Sequence, residues 1–439
     1  MNCFKEYTKY AFFNVLGMLG LSCYILADTF FVAKGLGSNG LAALNLAIPI
    51  YSFIHGSGLM LGIGGATRYS IAKSQGQTDR MNLIFSHTAF SVCVLSIVFF
   101  TVGLLGADVI TRILGADDAI FSMCRTYLQV LLLFSPLFML NDMVLCFVRN
   151  DGAPRLVMVS MLAGSFLNIF LDYVFIFSFR MGIFGAVLAT GFAPAIGLAV
   201  QSTFFIQKKN HFRLVKRPLR LQLLGQILST GVPSLITELS SGIVIMAFNA
   251  IILGLMGNIG VAAYGIIANL SIVVIALYTG IAQGIQPLLS RYYGAGNDRD
   301  VQSVFKYALY TVILLSGIVY LGVFLGADWL ASVFNSEGDC TLQAIAVDGM
   351  RLYFTACVFA GSNIIFSMYC TSIDNPRPAS ILSVLRGFLL ILPMAFVMSR
   401  LWGMTGLWLA FPATELSAAA LGIFLLQHSV KQQRKTSST

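Results

Sequence analysis

The chain has 439 residues, of which 57% are hydrophobic and 10% charged, with a net charge of +9 and a mean hydropathy of +0.84. A soluble domain is about a quarter charged residues, so this composition excludes a water-soluble globular fold and indicates a polytopic membrane protein. Eight cysteines without a CxxC pair and four histidines without an HxxH or HExxH cluster argue against a disulfide framework and against zinc chemistry.

Residues 1–9 are short and polar and read as no cleavable signal. Apolar runs long enough to cross a bilayer then fall near 10–33, 45–67, 83–105, 124–147, 156–178, 183–206, 226–250, 260–288, 307–326, 352–372, 378–399 and 403–428. Twelve spans place both termini on one side. Of the 27 Lys and Arg, twenty fall in one alternating set of segments, from Lys5 and Lys9 through the cluster at 208–220 to Lys431, Arg434 and Lys435. The positive-inside rule makes that side cytoplasmic, with both termini there, and the expected location is the plasma (inner) membrane. The same distribution makes the charge a topology signal and an anionic-lipid contact, and it argues against a nucleic-acid partner.

The two halves echo each other. Gly37-Ser-Asn-Gly-Leu-Ala-Ala43 returns as Gly257-Asn-Ile-Gly-Val-Ala-Ala263, and Lys73-Ser-Gln-Gly76 as Arg291-Tyr-Tyr-Gly294. The loop 150–154 is matched by 374–378, and Met181-Gly-Ile-Phe-Gly185 by Trp402-Gly-Met-Thr-Gly406. Four matches in one order are hard to obtain by chance among Gly-rich membrane helices. The expected fold class is therefore all-α, with twelve transmembrane helices in two six-helix lobes related by an internal repeat. The expected units are an N-lobe at 1–206, a basic linker at 207–222 and a C-lobe at 223–439 ending in a short basic tail. An even number of spans per half gives both copies one orientation.

Asn168 and Asp172 lie four residues apart inside the apolar run of span 5, on one helical face. An amide oxygen and a carboxylate so placed suit a proton or a hard cation, although a carboxylate near a helix end can instead reach the interface. Asp28 in span 1, Thr190 in span 6 and Tyr127 in span 4 fall at similar depth, about 8 Å, 12 Å and one turn from the outer ends of their spans at 1.5 Å per residue. Five polar side chains from four spans thus share the outer part of one bundle. Snorkelling explains each acid singly but not the grouping.

At these residues the chain resembles the multidrug and toxic compound extrusion (MATE) family of secondary transporters, prokaryotic type, along nearly its whole length. The resemblance implies that Asp28, Asn168, Asp172 and Thr190 form the N-lobe cation site, with Tyr127 in its hydrogen-bond network. These four become metal ligands if the coupling ion is sodium. Glu238 in span 7 resembles the glutamate of members with a C-lobe ion site, but span 10 offers it no acid. It is accordingly read as a substrate-binding candidate facing an organic cation. Glu415 in span 12 and Asp142 in span 4 are read first as hydrogen-bonded structural acids.

The expected function is a secondary active antiporter that exports organic cations, drugs or metabolites in exchange for sodium ions or protons by alternating access. A flippase for lipid-linked saccharides is the alternative, disfavoured because the intramembrane charges are mainly acidic. No motif of a membrane-embedded enzyme is present, and no selectivity-filter-like segment suggests a channel. Expected partners are small organic cations, Na+ or H+ and membrane lipids, with no cofactor beyond a bound Na+, and the chain is expected to act as a monomer.

Overall fold

The computed structural model describes residues 3–335 and 338–436; the side chains beyond 425, with the basic tail Lys431, Arg434 and Lys435, lie outside the described residues. Among the described residues the secondary structure is helical, without strands. In order come α1 (Cys3–Ser74), α2 (Thr78–Leu105), α3 (Ala107–Ile113), α4 (Phe121–Leu133), α5 (Ser135–Asn150), α6 (Pro154–Tyr173) and α7 (Gly182–Ile206). After residues 207–220 follow α8 (Leu221–Gly294), α9 (Asp298–Phe334), α10 (Cys340–Tyr353), α11 (Cys357–Ser372), α12 (Pro376–Val384) and α13 (Ile391–Thr436).

Among the described residues eight stretches are long and apolar enough to cross a membrane, and the bent pair α4–α5, hinged by 47°, adds a ninth. Three of the eight are double. Helix α1 turns at Gly37 (φ 68°, ψ −160°), α8 at Gly257 (φ 63°, ψ −154°) and α13 at Trp402–Gly403 (Gly403 φ 59°, ψ −136°). A side chain at those positive φ values meets steric strain, so glycine sets where each span ends and the next begins. Split there, the stretches account for twelve spans. Large side chains such as Leu105, Ile113, Phe166, Phe170 and Leu325 point outward from them, which in water is an aggregation surface and in lipid is a solvated one.

The repeat survives in the backbone, with two corrections of register. Gly76 and Gly296 both have φ 70° and precede the caps of α2 and α9, so Gly76 pairs with Gly296 and not with Gly294. Pro154 and Pro376 open α6 and α12, so the loop partner of Pro154 is Pro376, not Pro378. Short motif matching slid by two residues because Gly recurs at 294 and 296 and Pro at 376 and 378.

Two hydrophobic cores form. One gathers Val32 to Ile227, and the other Phe248 to Ala410 together with Tyr7, Tyr10 and Ala11 from the start of α1. The first turns of the chain thus pack into the second half. Between the halves, backbones meet at glycines: a Cβ on Gly64 would lie 2.1 Å from the Ile227 carbonyl oxygen, and one on Gly284 2.9 Å from Ala11 Cα. In lipid, van der Waals contact of small residues replaces the hydrophobic drive between helices.

The hydrogen bonds between the halves cluster at the end of the bundle that carries the linker. Arg68 Nη2 donates to Asp374 Oδ1 at 2.7 Å, Arg149 Nη1 to Gln283 Oε1 at 2.7 Å and Asn150 Nδ2 to Gln286 Oε1 at 2.7 Å. Glu6 accepts from Arg291 and Tyr292. Burial pushes the Glu6 carboxyl up, and these two hydrogen bonds overcome it, leaving it below its ordinary 4.5. A carboxylate with a lowered value stabilises its clasp above the free value and loses it as pH falls through the bound one. Glu6 should therefore fasten the halves at neutral pH and release them only in acid, which hydrogen exchange at residues 3–10 across a pH series would report.

The linker itself is ordered along the first half. The Arg213, Val215 and Arg220 amides donate to Asn82 Oδ1, Ser86 Oγ and His87 Nε2 at 2.8, 2.8 and 2.9 Å. Phe212 is buried among Tyr69, Phe85, Phe147 and Phe205.

Candidate cation site

The first segment of α1 runs beside α6 because glycines let the two approach. A Cβ on Gly17 would sit 2.8 Å from Met161 Sδ, one on Gly20 2.5 Å from Leu162 Cδ2 and one on Gly35 2.4 Å from Ile176 Cγ2. These contacts bracket Asp28 on one helix and Asn168 and Asp172 on the other. Gly164 approaches the Ala193 carbonyl and Gly191 the Phe134 ring, which draws α7, carrying Thr190, and α4, carrying Tyr127, to the same place. A π-helical turn at Val174–Ser178 begins two residues after Asp172. Such a turn widens the helix and leaves its backbone pairing irregular.

Asp28, Tyr127, Asn168, Asp172 and Thr190 are all buried. With its amide oriented to satisfy both neighbours, Asn168 donates to Asp172 Oδ2 at 3.1 Å and accepts from the Thr190 backbone N–H at 3.2 Å. Tyr127 stands beside Thr190, whose hydroxyl donates to the Ala186 carbonyl at 3.1 Å, and Asp28 is the charged group acting on Asp172. The structure thus brings together all five residues that the sequence grouped. Among the described residues, Asp28 Oδ1 and Asp172 Oδ1 are buried without a partner. Two buried carboxylates in one another's field, each with a bare oxygen, are costly as a pair of charges, and a proton or a cation would offset that cost. Carboxylate, amide and hydroxyl oxygens are hard donors, matched to Na+ or H+ rather than to a soft transition metal. No cluster of three or more His, Cys, Asp or Glu that could hold a metal ion occurs among the described residues.

The second half keeps the scaffold and drops the acids. At the offset that takes Gly37 to Gly257, Asp28 becomes Phe248; at the offset that takes Pro154 to Pro376, Asn168 becomes Leu390 and Asp172 becomes Met394. Its polar centre lies elsewhere. Arg386 donates to Glu415 Oε1 from Nη2 at 2.7 Å and from Nε at 3.1 Å, and Asn363 Nδ2 donates to Glu415 Oε2 at 2.7 Å. Glu415 is thus a paired acid tying spans 10, 11 and 12 together. Removing one partner leaves an uncompensated buried charge, so Arg386→Gln should cost about 3–5 kcal/mol. The measurement is a lowered thermal midpoint in detergent, with the ion dependence of any residual transport unchanged.

Glu238 does not join the first site. It stands half-buried between the halves, where a Cβ on Gly56 would lie 3.0 Å from its own Cβ. The sequence leaves it a lone carboxylate; the structure gives it His55 and Asp142 of the other half as charged neighbours. Asp142 Oδ2 lies 2.9 Å from His55 Nδ1. His55 escaped sequence reasoning because a single histidine in a span matches no ligand spacing. Its one signal was its place inside an apolar run.

An all-helical bundle of twelve spans, with buried ionisable groups inside one bundle, defines a membrane transporter rather than an enzyme. The MatE family model matches residues 15–174 and 233–397, and the chain belongs to this family, that of multidrug and toxic compound extrusion transporters. Similar curated proteins include the multidrug export protein MepA of Staphylococcus saprophyticus, 25% identical over 430 residues that cover 97% of this chain and 94% of that protein. MepA of Staphylococcus aureus strain MSSA476 is 25% identical over 435 residues, covering 97% and 94%. Among solved structures, the fold matches an outward-facing multidrug resistance MATE family transporter of the MOP superfamily with a TM-score of 0.92, at 22% identity over 99% of this chain and 97% of that one. A MOP superfamily transporter from Pyrococcus furiosus gives 0.91 at 22% identity, over 98% and 96%.

Proposed function

We propose that this transporter exports organic cations, among them drugs, in exchange for sodium ions or protons by alternating access between two six-span lobes. The observation that carries the reading is the pair of buried carboxylates of Asp28 and Asp172, each with one oxygen lacking a partner, the second of them held by Asn168. That pair changes its charge by one unit when it takes a proton or Na+, and the resulting neutralisation removes the cost of burying it in the N-lobe. The Thr190 backbone N–H holds the Asn168 amide in place.

The basic linker end faces the cytoplasm by its charge. Hydrogen bonds between the lobes at that end then describe an outward-facing arrangement, in which an ion arriving from outside meets the site before the cytoplasmic side opens. The multidrug export relatives support drugs as cargo. Ethidium efflux from cells, or uptake into inverted vesicles, with the sodium and proton gradients imposed separately, tests the reading. Transport that follows one gradient supports it and names the ion, whereas transport indifferent to both sinks the antiport reading.

The two non-acidic members should matter less than the acids. Asn168→Ala and Thr190→Ala keep the titratable charge and lose one ligand each, so each should raise the half-saturating ion concentration about tenfold while leaving maximal efflux largely intact.

A further inference from the structure

Residues 208–220 of the linker carry six cations, Lys208, Lys209, Arg213, Lys216, Arg217 and Arg220, and no acid. All six side chains are exposed, yet the backbone that bears them is pinned to the first half. Asp151, with its carboxylate buried, accepts from the His211 backbone N–H at 2.8 Å and from the Tyr69 hydroxyl at 2.7 Å, and it pairs with Lys73. Phe212 is buried, and α2 holds the 213, 215 and 220 amides through Asn82, Ser86 and His87. These seats are peculiar to the half that holds the linker. At the offset that takes Gly76 to Gly296, the three on α2 become Gln302, Lys306 and Tyr307; at the offset that takes Pro154 to Pro376, Asp151 becomes Ile373. The seats also fix the depth of the linker. Asn82 and Ser86 share a face of α2 with Phe90, Val94 and Ile97, and those three are exposed apolar side chains on a membrane span. The linker thus covers the cytoplasmic end of a lipid-facing stripe, with Ser86 one turn, about 6 Å, from Phe90. Its own leucines point away from the protein, Leu214 being 72% exposed, Leu219 46% and Leu221 82%.

We propose that residues 208–221 form a docking strap for anionic phospholipid of the cytoplasmic leaflet. Its cations meet lipid phosphates, Leu214, Leu219 and Leu221 enter the acyl boundary, and α2 holds the backbone at that depth. Like charges so close in the chain repel one another, and an anionic surface relieves the repulsion. Each cation near such a surface contributes about fivefold in affinity. Zwitterionic headgroups carry no net charge and offer no such gain. The leucines select lipid over an acidic polypeptide, because they stand at the end of a stripe that lipid already covers, and one apolar anchor joined to a polybasic segment makes a stable contact where either alone is weak. The seats on α2 separate this contact from the diffuse attraction of any positive inner surface. They present one ordered face at one depth, so the same few headgroups are held there. The proposal is independent of the transported cargo and of the coupling ion.

The test places a bimane fluorophore at Leu214→Cys, in the full-length protein with its native cysteines replaced. The protein is reconstituted in nanodiscs of phosphatidylcholine with a minority of phosphatidylglycerol, and the bromine quencher is carried on the acyl chains of one lipid or of the other. Quenching by brominated phosphatidylglycerol should exceed that lipid's mole fraction about fivefold or more. High salt should lower the excess, since the attraction is screened within about 3 Å at 1 M. Lys216→Gln/Arg217→Gln changes two exposed side chains that hold no seat, so the fold is kept and the excess should fall severalfold. A second label at Gln302→Cys, at the C-lobe position matching Asn82, should be quenched by each lipid in proportion to its mole fraction. Proportional quenching at Leu214→Cys means unselective contact with the bilayer and overturns the proposal. An equal excess at Gln302→Cys means a general property of the positive inner surface and overturns it as well. Absence of quenching by either lipid puts the strap in water, where an acidic macromolecule is the remaining partner, and overturns it too.

Discussion

Asp172→Asn is expected to reduce gradient-driven efflux to the level of cells lacking the transporter, with the protein still present in the membrane at normal amount. Asp172 is fully buried, receives a hydrogen bond from Asn168, and keeps one oxygen without a partner. Asparagine preserves volume and can still bond Asn168, so the fold has little reason to fail. What disappears is the unit of charge that a proton or Na+ must neutralise. Without it the burial of the site no longer depends on the ion, and the ion no longer biases one conformation over the other. Asp28→Asn should behave alike, because Asp28 is the charge acting on Asp172 and a single remaining carboxylate binds cations far less well than two. The measurement is ethidium efflux alongside an immunoblot of the membrane fraction. Wild-type efflux against a gradient by either variant would remove the N-lobe site from the coupling mechanism.

Gly231→Ala should have a comparable effect for a steric reason. A Cβ there would lie 1.8 Å from the Met60 carbonyl oxygen and 2.6 Å from its carbonyl carbon. The atoms it meets are backbone, so no rotamer change relieves the contact, and the lobes must part where Arg68 and Thr230 bond across to neighbours. The arrangement closed at the linker end is then penalised relative to its alternative, and cycling stalls. Efflux should fall tenfold or more, since a bias of about 1.4 kcal/mol is already tenfold in population. A Ser70→Cys reporter, placed where Ser70 now bonds the Pro287 carbonyl, should react faster with a maleimide in a background whose native cysteines are replaced. Unchanged labelling together with unchanged efflux would show that this close approach is dispensable. The same argument applied to Gly225, which has no atom near its missing Cβ, predicts that Gly225→Ala leaves labelling and efflux at parental levels.

Much of the candidate site was legible before any coordinates, and for one reason. Lipid penalises every buried charge, so the few acids inside apolar runs stand out, and Asn168 and Asp172 share a face by helical period alone. Depth along each span then grouped Asp28, Tyr127 and Thr190 with them. The twelve spans were legible because span length is fixed by bilayer thickness, and Gly37 and Gly257 stood out as matching positions of the repeat, although only the backbone showed that the chain turns there.

Tertiary structure decided whatever depends on contacts between segments remote in the chain. Motif matching placed the repeat two residues out of register at Gly294 and Pro378, and only the helix starts at Asp298 and Pro376 corrected it. The pairing of Glu415 with Arg386 and Asn363, the burial of Tyr7 and Tyr10 in the second core, and the seating of Phe212 in the first have no periodic signature. His55 carried no motif, and only folding set it 2.9 Å from Asp142. Hydropathy and helical period act within a segment, so the sequence determines spans, turns and which residues share a face. Ion pairs, close glycine approaches and the field at a carboxylate act through space between segments, and these only the packed bundle decided.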